Sequence, residues 1–211
     1  MVLHPDLFER VYSLVRDGQL ASARTLIEAQ LALASDDFER SVWWSALAQA
    51  HQSGGDDELA REAFLRAESF APNDAALAVM VGTFLLAAFG DTEASGQRAV
   101  RVLAQGQLDA AGVHQAHQLL CRVACFRGDS PGAAEHLLKS MDVQYDQSML
   151  AGPELDAVRE MLHAGIGADA CRAYLDAVGA WVAEHGAPEF FPGEIARLHR
   201  LLRSPKRDEG G

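Results

Sequence analysis

The chain has 211 residues, 49% of them hydrophobic, and a formal net charge of -12. That length supports one sizeable core or a short stack of repeats. The acidic balance opposes nucleic acid and anionic membrane surfaces as partners and suits a partner with a basic segment.

Three cysteines, Cys121, Cys125 and Cys171, make no disulfide framework. The first residues, MVLHPDLFERV, show neither a basic region nor an apolar stretch of the kind that directs secretion. The longest apolar run, Ala75 to Phe89, is interrupted by Gly82 and Thr83 and is too short to span a membrane. The expectation is a soluble, cytoplasmic protein of bacterial character. No window alternates apolar and polar residues with β-branched enrichment, so the predicted class is all-α.

Residues 5–33 read as a first helical hairpin. Leu7, Val11 and Leu14 line one helix, Gly18-Gln19 turns, and Ala23, Ile27 and Leu31 line the next. Ser35-Asp36-Asp37 breaks the pattern and caps the next helix. The second hairpin, residues 41–72, is the clearest. Trp44, Leu47, Ala48 and His51 share a helix face, and Ala60, Ala63, Phe64 and Ala67 repeat that spacing after the break Gly54-Gly55-Asp56-Asp57. Pro72 stops it. Small alanines let the two backbones approach, with Trp44 and Phe64 expected to fill the wedge between them.

Residues 74–104 form a third, degraded hairpin. Gly82 takes a small-residue place, Gly90-Asp91 turns, and Ala94, Ala99 and Val102 pack, with one residue inserted. Residues 112–141 form a fourth: His117, Leu120, Cys121 and Ala124 on one face, a turn at Gly128-Asp129, then Ala133 and Leu137. The turn glycines Gly18, Gly55, Gly90 and Gly128 are 37, 35 and 38 residues apart, the signature of stacked repeats. After a break at Ser148–Pro153, helices are predicted over 154–164, 168–185 and 193–203, with a loop at 186–193 containing Pro188 and Pro192. The expected division is repeats over 1–146, a helical cap or irregular fifth hairpin over 147–203, and a disordered tail over 204–211.

The second hairpin resembles a tetratricopeptide repeat (TPR). Trp44, Leu47, Ala60, Phe64, Ala67 and Pro72 stand at that family's spacing, while Ala48 replaces its Gly and His51 its aromatic. The resemblance implies a right-handed solenoid of antiparallel helix pairs whose first helices line a concave groove for a peptide or helix. The implied lining residues are Phe8, Tyr12, Val15, Ser45, Gln49, Gln52, Val79, Thr83, Gln118, Arg122 and Cys125. Gln can bond a peptide backbone and Arg122 a carboxylate. Ser45 and Gln49 stand where a carboxylate clamp of the family's chaperone-tail receptors needs Lys and Asn, so that specialisation is not expected.

Motifs for catalysis are weak. Gly128-Asp129-Ser130-Pro131-Gly132 matches G-x-S-x-G, but it joins two helices, where Ser130 before Pro131 reads as a helix cap rather than a nucleophile. Arg127-Gly128-Asp129 is an adhesion tripeptide without context. His114, His117, Cys121 and Cys125 share one helix stripe, and imidazole and thiolate are zinc ligands, yet one straight helix rarely wraps four ligands round an ion. The expectation is therefore no catalytic residue, no cofactor and no metal. The chain reads as a protein-binding module, an adaptor or dedicated chaperone similar at the level of fold to secretion-system repeat chaperones. The alternatives are a self-associating structural subunit, hence a homo-oligomer, and a metal protein using the His114–Cys125 stripe.

Overall fold

The structure is a computed structural model that describes residues 5–106, 108–142, 153–186 and 190–203. Among these residues every regular element is a helix: α1 Pro5–Arg16, α2 Leu20–Leu33, α3 Asp37–Ser53, α4 Asp57–Phe70, α5 Ala75–Phe89, α6 Thr92–Gln105, α7 Ala110–Phe126, α8 Ser130–Lys139, α9 Asp156–Ala164, α10 Ala168–His185 and α11 Phe190–Arg203. The all-α expectation is met. The expected boundary near 146, Pro188 and the tail 204–211 lie outside the described residues.

All four evenly spaced glycines carry a positive φ, from 63° to 76°. An L side chain is strained there, so glycine ends one helix and lets the next start within three or four residues. From each of these glycines the register is constant. The fifth residue on, Ala23, Ala60, Ser95 or Ala133, is small and fully buried. The ninth, Ile27, Phe64, Ala99 or Leu137, is buried as well. The insertion expected in the third repeat is therefore absent. Ser95, not Ala94, takes the small-residue place, because what that place demands is little volume rather than an alkyl side chain.

The chain divides into two compact units, residues 1–89 and 90–211. The residues of the predicted third hairpin are thus shared out, α5 to the first unit and α6 to the second.

In the first unit α3 is central and touches α1, α2 and α4. Its start is built by reciprocal bonds. Asp36 Oδ1 accepts from the Glu39 N–H at 2.8 Å, while Glu39 Oε2 accepts from the Ser35 N–H at 2.8 Å. With neighbours on several sides, α3 buries Ser41, Trp43, Ala46, Leu47, Ala48 and Ala50. The structure corrects the expectation for the tryptophans. Trp43 is the buried one and stacks on Phe8 of α1, centroids 4.4 Å apart and planes 4° from parallel. Trp44 is half-buried, with the Arg66 guanidinium 4.7 Å over its ring. Adjacent residues on a helix point about 100° apart, so two tryptophans serve two neighbours.

The second unit gathers α6 to α11. α7 packs on α6, α8 and α9, and α10 packs on α8, α9 and α11. Leu137, Leu155, Val158, Met161, Cys171, Leu175, Val178 and Leu198 form its apolar centre. Two sequence expectations shift. α8 is capped by Asp129, whose side chain accepts from the Gly132 N–H at 3.0 Å, so Ser130 is already helical. α11 begins at Phe190, which places Pro192 and Gly193 in its first turn, where the missing proline N–H costs nothing.

The Trp43 arrangement predicts an asymmetry. Trp43→Ala should lower the unfolding free energy by about 3–5 kcal/mol, whereas Trp44→Ala should cost about 1 kcal/mol. Urea denaturation of the two variants checks this, and a larger loss from Trp44→Ala would contradict the packing described.

Candidate functional site

The residues implied to line a groove fall into both units. In the first, Phe8 is half-buried and spends its face on Trp43. Tyr12 is 52% exposed. Val15 is half-buried. On α3, Ser45 and Gln49 are half-exposed and Gln52 exposed. Gln49 Nε2 makes only a weak contact with the Met80 sulfur, at 3.6 Å. On α5, Thr83 is half-exposed, but Val79 is only 5% exposed and belongs to the core. Its i, i+4 relation to Thr83 puts the two on one face, yet burial between Leu77 and Leu86 extends beyond a single face of α5, so that face is covered at Val79.

In the second unit the expectation for Gln118 is overturned: it is 1% exposed. Its Nε2 donates to Ser140 Oγ at 2.8 Å and to Tyr174 Oη at 3.0 Å. Each hydroxyl passes its own proton on, Ser140 to the Leu137 carbonyl at 2.7 Å and Tyr174 to the Glu154 carbonyl. His114, one turn earlier on α7, joins the same network. Its Nδ1 lies 2.8 Å from the Ser140 carbonyl oxygen, and its Nε2 accepts from the Glu154 N–H at 3.2 Å. That pairing sets a neutral imidazole with its proton on Nδ1. Burial pushes the His114 pKa down, and the bond to Ser140 only partly offsets it.

Arg122 is committed as well. Its Nε and Nη2 both lie 2.8 Å from Glu160 Oε1. Burial raises the Glu160 carboxyl above its usual range, and Arg122 works against that. Cys125, three residues after Arg122 on α7, is half-buried and shares a hydrogen bond with Cys121.

The stripe of potential metal ligands does not converge. His114 has both ring nitrogens engaged. The Cys121 thiol faces Met161, Sγ to Sδ 3.5 Å, and its pKa is raised, first by a hydrogen bond with Cys125 and then by burial, which opposes ligation as thiolate. Burial pushes Cys171 up to about 12. Among the described residues no three His, Cys, Asp or Glu side chains are placed to hold a metal ion together. His117 turns instead to His136 of α8, a contact that no sequence pattern announces because 19 residues separate the two.

Comparison with known proteins supports the fold. No protein-family model matches the chain, and no curated protein matches it. Among solved structures, a protein of Podosopora anserina assigned as a kinesin light chain, with nearly identical TPR-like repeats, superposes with a TM-score of 0.58 at 17% identity, covering 96% of each chain. A single-substitution variant of that protein superposes with a TM-score of 0.60 at 17% identity, covering 94% of this chain and 96% of that one. The chain has a TPR-like fold. No described helix is long and apolar enough to cross a membrane.

One prediction tests the buried network and a second tests the histidine pair. Gln118→Ala removes the donor that both hydroxyls accept from, and should cost about 1–3 kcal/mol in urea denaturation. The histidines set an acid limit. The folded-state pKa of His117 is pushed down to about 4, against 6.5 for the free side chain, by burial first and then by the charge of His136. The unfolded chain therefore takes the proton first, so stability is full above pH 6.5 and is lost as pH falls from 6.5 towards 4. His117→Asn should flatten that slope, and a melting temperature equally pH-dependent in both forms would refute the assignment.

Proposed function

We propose that the protein is an interaction module, an adaptor or dedicated chaperone that holds a peptide or helix of another protein against the first helices of its repeats. The observation that carries this reading is selective exposure. Positions on the core face of α1 and α3, such as Val11 and Leu47, are buried, whereas beside them Tyr12 and Gln52 are exposed and Ser45 and Gln49 half-exposed. Tyr12 supplies a large ring with a polar tip, as interface hot spots commonly do. The two glutamines carry donor and acceptor groups that suit the backbone of an extended segment. The net charge of -12 favours a partner segment that is basic.

Phe8, Val79, Gln118 and Arg122 are better assigned to holding the fold, since each is stacked, buried or ion-paired. Val15 and Thr83, both half-exposed, complete the surface of the first unit, and Cys125 is the half-exposed position left in the second. Residues 147–203 act in this reading as the cap of the repeats, and a cytoplasmic setting suits three cysteines that stand free.

The test is capture of partners from the source cell by tagged protein. The wild type is compared with a Tyr12→Ala, Gln49→Glu, Gln52→Glu variant of unchanged helicity. A partner retained by the wild type should be reduced about tenfold or more with the variant, since one hot-spot side chain alone is worth that much. Equal retention would move the binding surface elsewhere.

A further inference from the structure

His117 on α7 and His136 on α8 meet at the seam between these helices. Both are half-buried, their Nδ1 atoms are 3.2 Å apart, and their rings stack with centroids at 5.4 Å and planes 27° apart. Two neutral imidazoles satisfy such a contact only if one Nδ1 carries a proton and the other accepts it. The same spacing suits another occupant. Nitrogens bound to one metal ion at about 2.0–2.1 Å with a near-tetrahedral angle lie about 3.3 Å apart.

We propose that His117 and His136 bind a divalent transition-metal ion of the imidazole-seeking class, such as Ni²⁺, Cu²⁺ or Zn²⁺, through their two Nδ1 atoms, with water completing the coordination. The proton that Nδ1 gives up is taken by Nε2 of the same ring, so both ligands stay neutral and the complex keeps the charge of the ion. Neutrality is supplied by the fold. Both rings are half-buried, and burial disfavours the charged imidazolium, so a proton does not compete strongly with the metal for either ring at neutral pH. Glu135 and Lys139, paired at 2.6 Å, are the charged groups of α8 that act on both rings, and Asp129 and His114 also act on one ring or the other. His114 is not a third ligand, because both its nitrogens are engaged in the buried network. With two protein ligands the site discriminates by chemistry rather than by a closed cage: imidazole suits Ni²⁺, Cu²⁺ and Zn²⁺ and does not suit Mg²⁺ or Ca²⁺. An ion there would clip α7 to α8 and stabilise the folded chain by mass action.

This inference is independent of the proposed partner surface. Equilibrium dialysis against Ni²⁺ at about pH 7.5 tests it, with the wild type beside His117→Asn, His136→Asn and the control His163→Asn on an exposed position of α9. Asn places an amide near where Nδ1 stood, which keeps a hydrogen bond at the seam while removing the imidazole; His136→Gln serves if an Asn variant loses helicity. The wild type and the control should each hold one equivalent more Ni²⁺ than either seam variant. Ni²⁺ should raise the melting temperature of the wild type and the control, Mg²⁺ should not, and the seam variants should respond at least tenfold less sensitively to Ni²⁺ concentration. Equal Ni²⁺ binding by wild type and His136→Asn, or a melting temperature indifferent to Ni²⁺ in the wild type, would overturn the proposal.

Discussion

Helix backbones can pack closely only where the side chain between them is small, and this governs the whole fold. Ala23, Ala60, Ser95 and Ala133 have no exposed surface, and each stands five residues beyond a glycine held at positive φ. The turn fixes where the second helix begins, and the small residue fixes how near it lies. Larger side chains at the ninth position then fill the space that remains. Dispersion contacts fall off over fractions of an ångström, so this spacing decides whether Phe64 or Leu137 has partners at all. Serine in place of alanine is tolerated because volume, not polarity, is what the site restricts.

The second unit adds a polar device to this scheme. α7 carries Gln118 and His114 into the interior, and their bonds reach α8 through Ser140, α10 through Tyr174 and the segment before α9 through Glu154. Hydrogen bonds are directional, unlike apolar contacts, so these fix the register of the helices as well as their proximity. The arrangement also removes Gln118 from any surface. An amide that organises a core cannot greet a partner, and the same holds for Arg122, whose guanidinium is spent on Glu160. The amides left accessible on α3 are those of Gln49 and Gln52.

The α7–α8 seam shows how one helix face can serve two ends. Its buried part ends in a satisfied neutral histidine, His114, and its half-open part ends in the pair His117 and His136. Partial burial keeps these rings neutral while leaving them within reach of water. The same burial makes the seam a place where falling pH opposes folding, since the unfolded chain accepts protons that the folded chain resists.

The helices, the turns and the repeat register are legible along the chain. These follow from local rules: glycine at positive φ, Asp at helix starts, and apolar residues at the helical period. Gly18, Gly55, Gly90 and Gly128 stand in the chain at a spacing anyone can count, and Ala60, Phe64 and Ala67 read directly as a buried face. How many neighbours each helix has is set by packing in space. Periodicity marks one face, but α3 and α5 are covered on several, which is why Trp43 rather than Trp44 is buried and why Val79 is core. Nor does local pattern say which distant side chain completes a polar group. Tyr174 lies 56 residues from Gln118, and His136 lies 19 from His117. Such pairs exist because helices adjacent in space bring together residues far apart in the chain, and no rule of spacing along one helix contains that information.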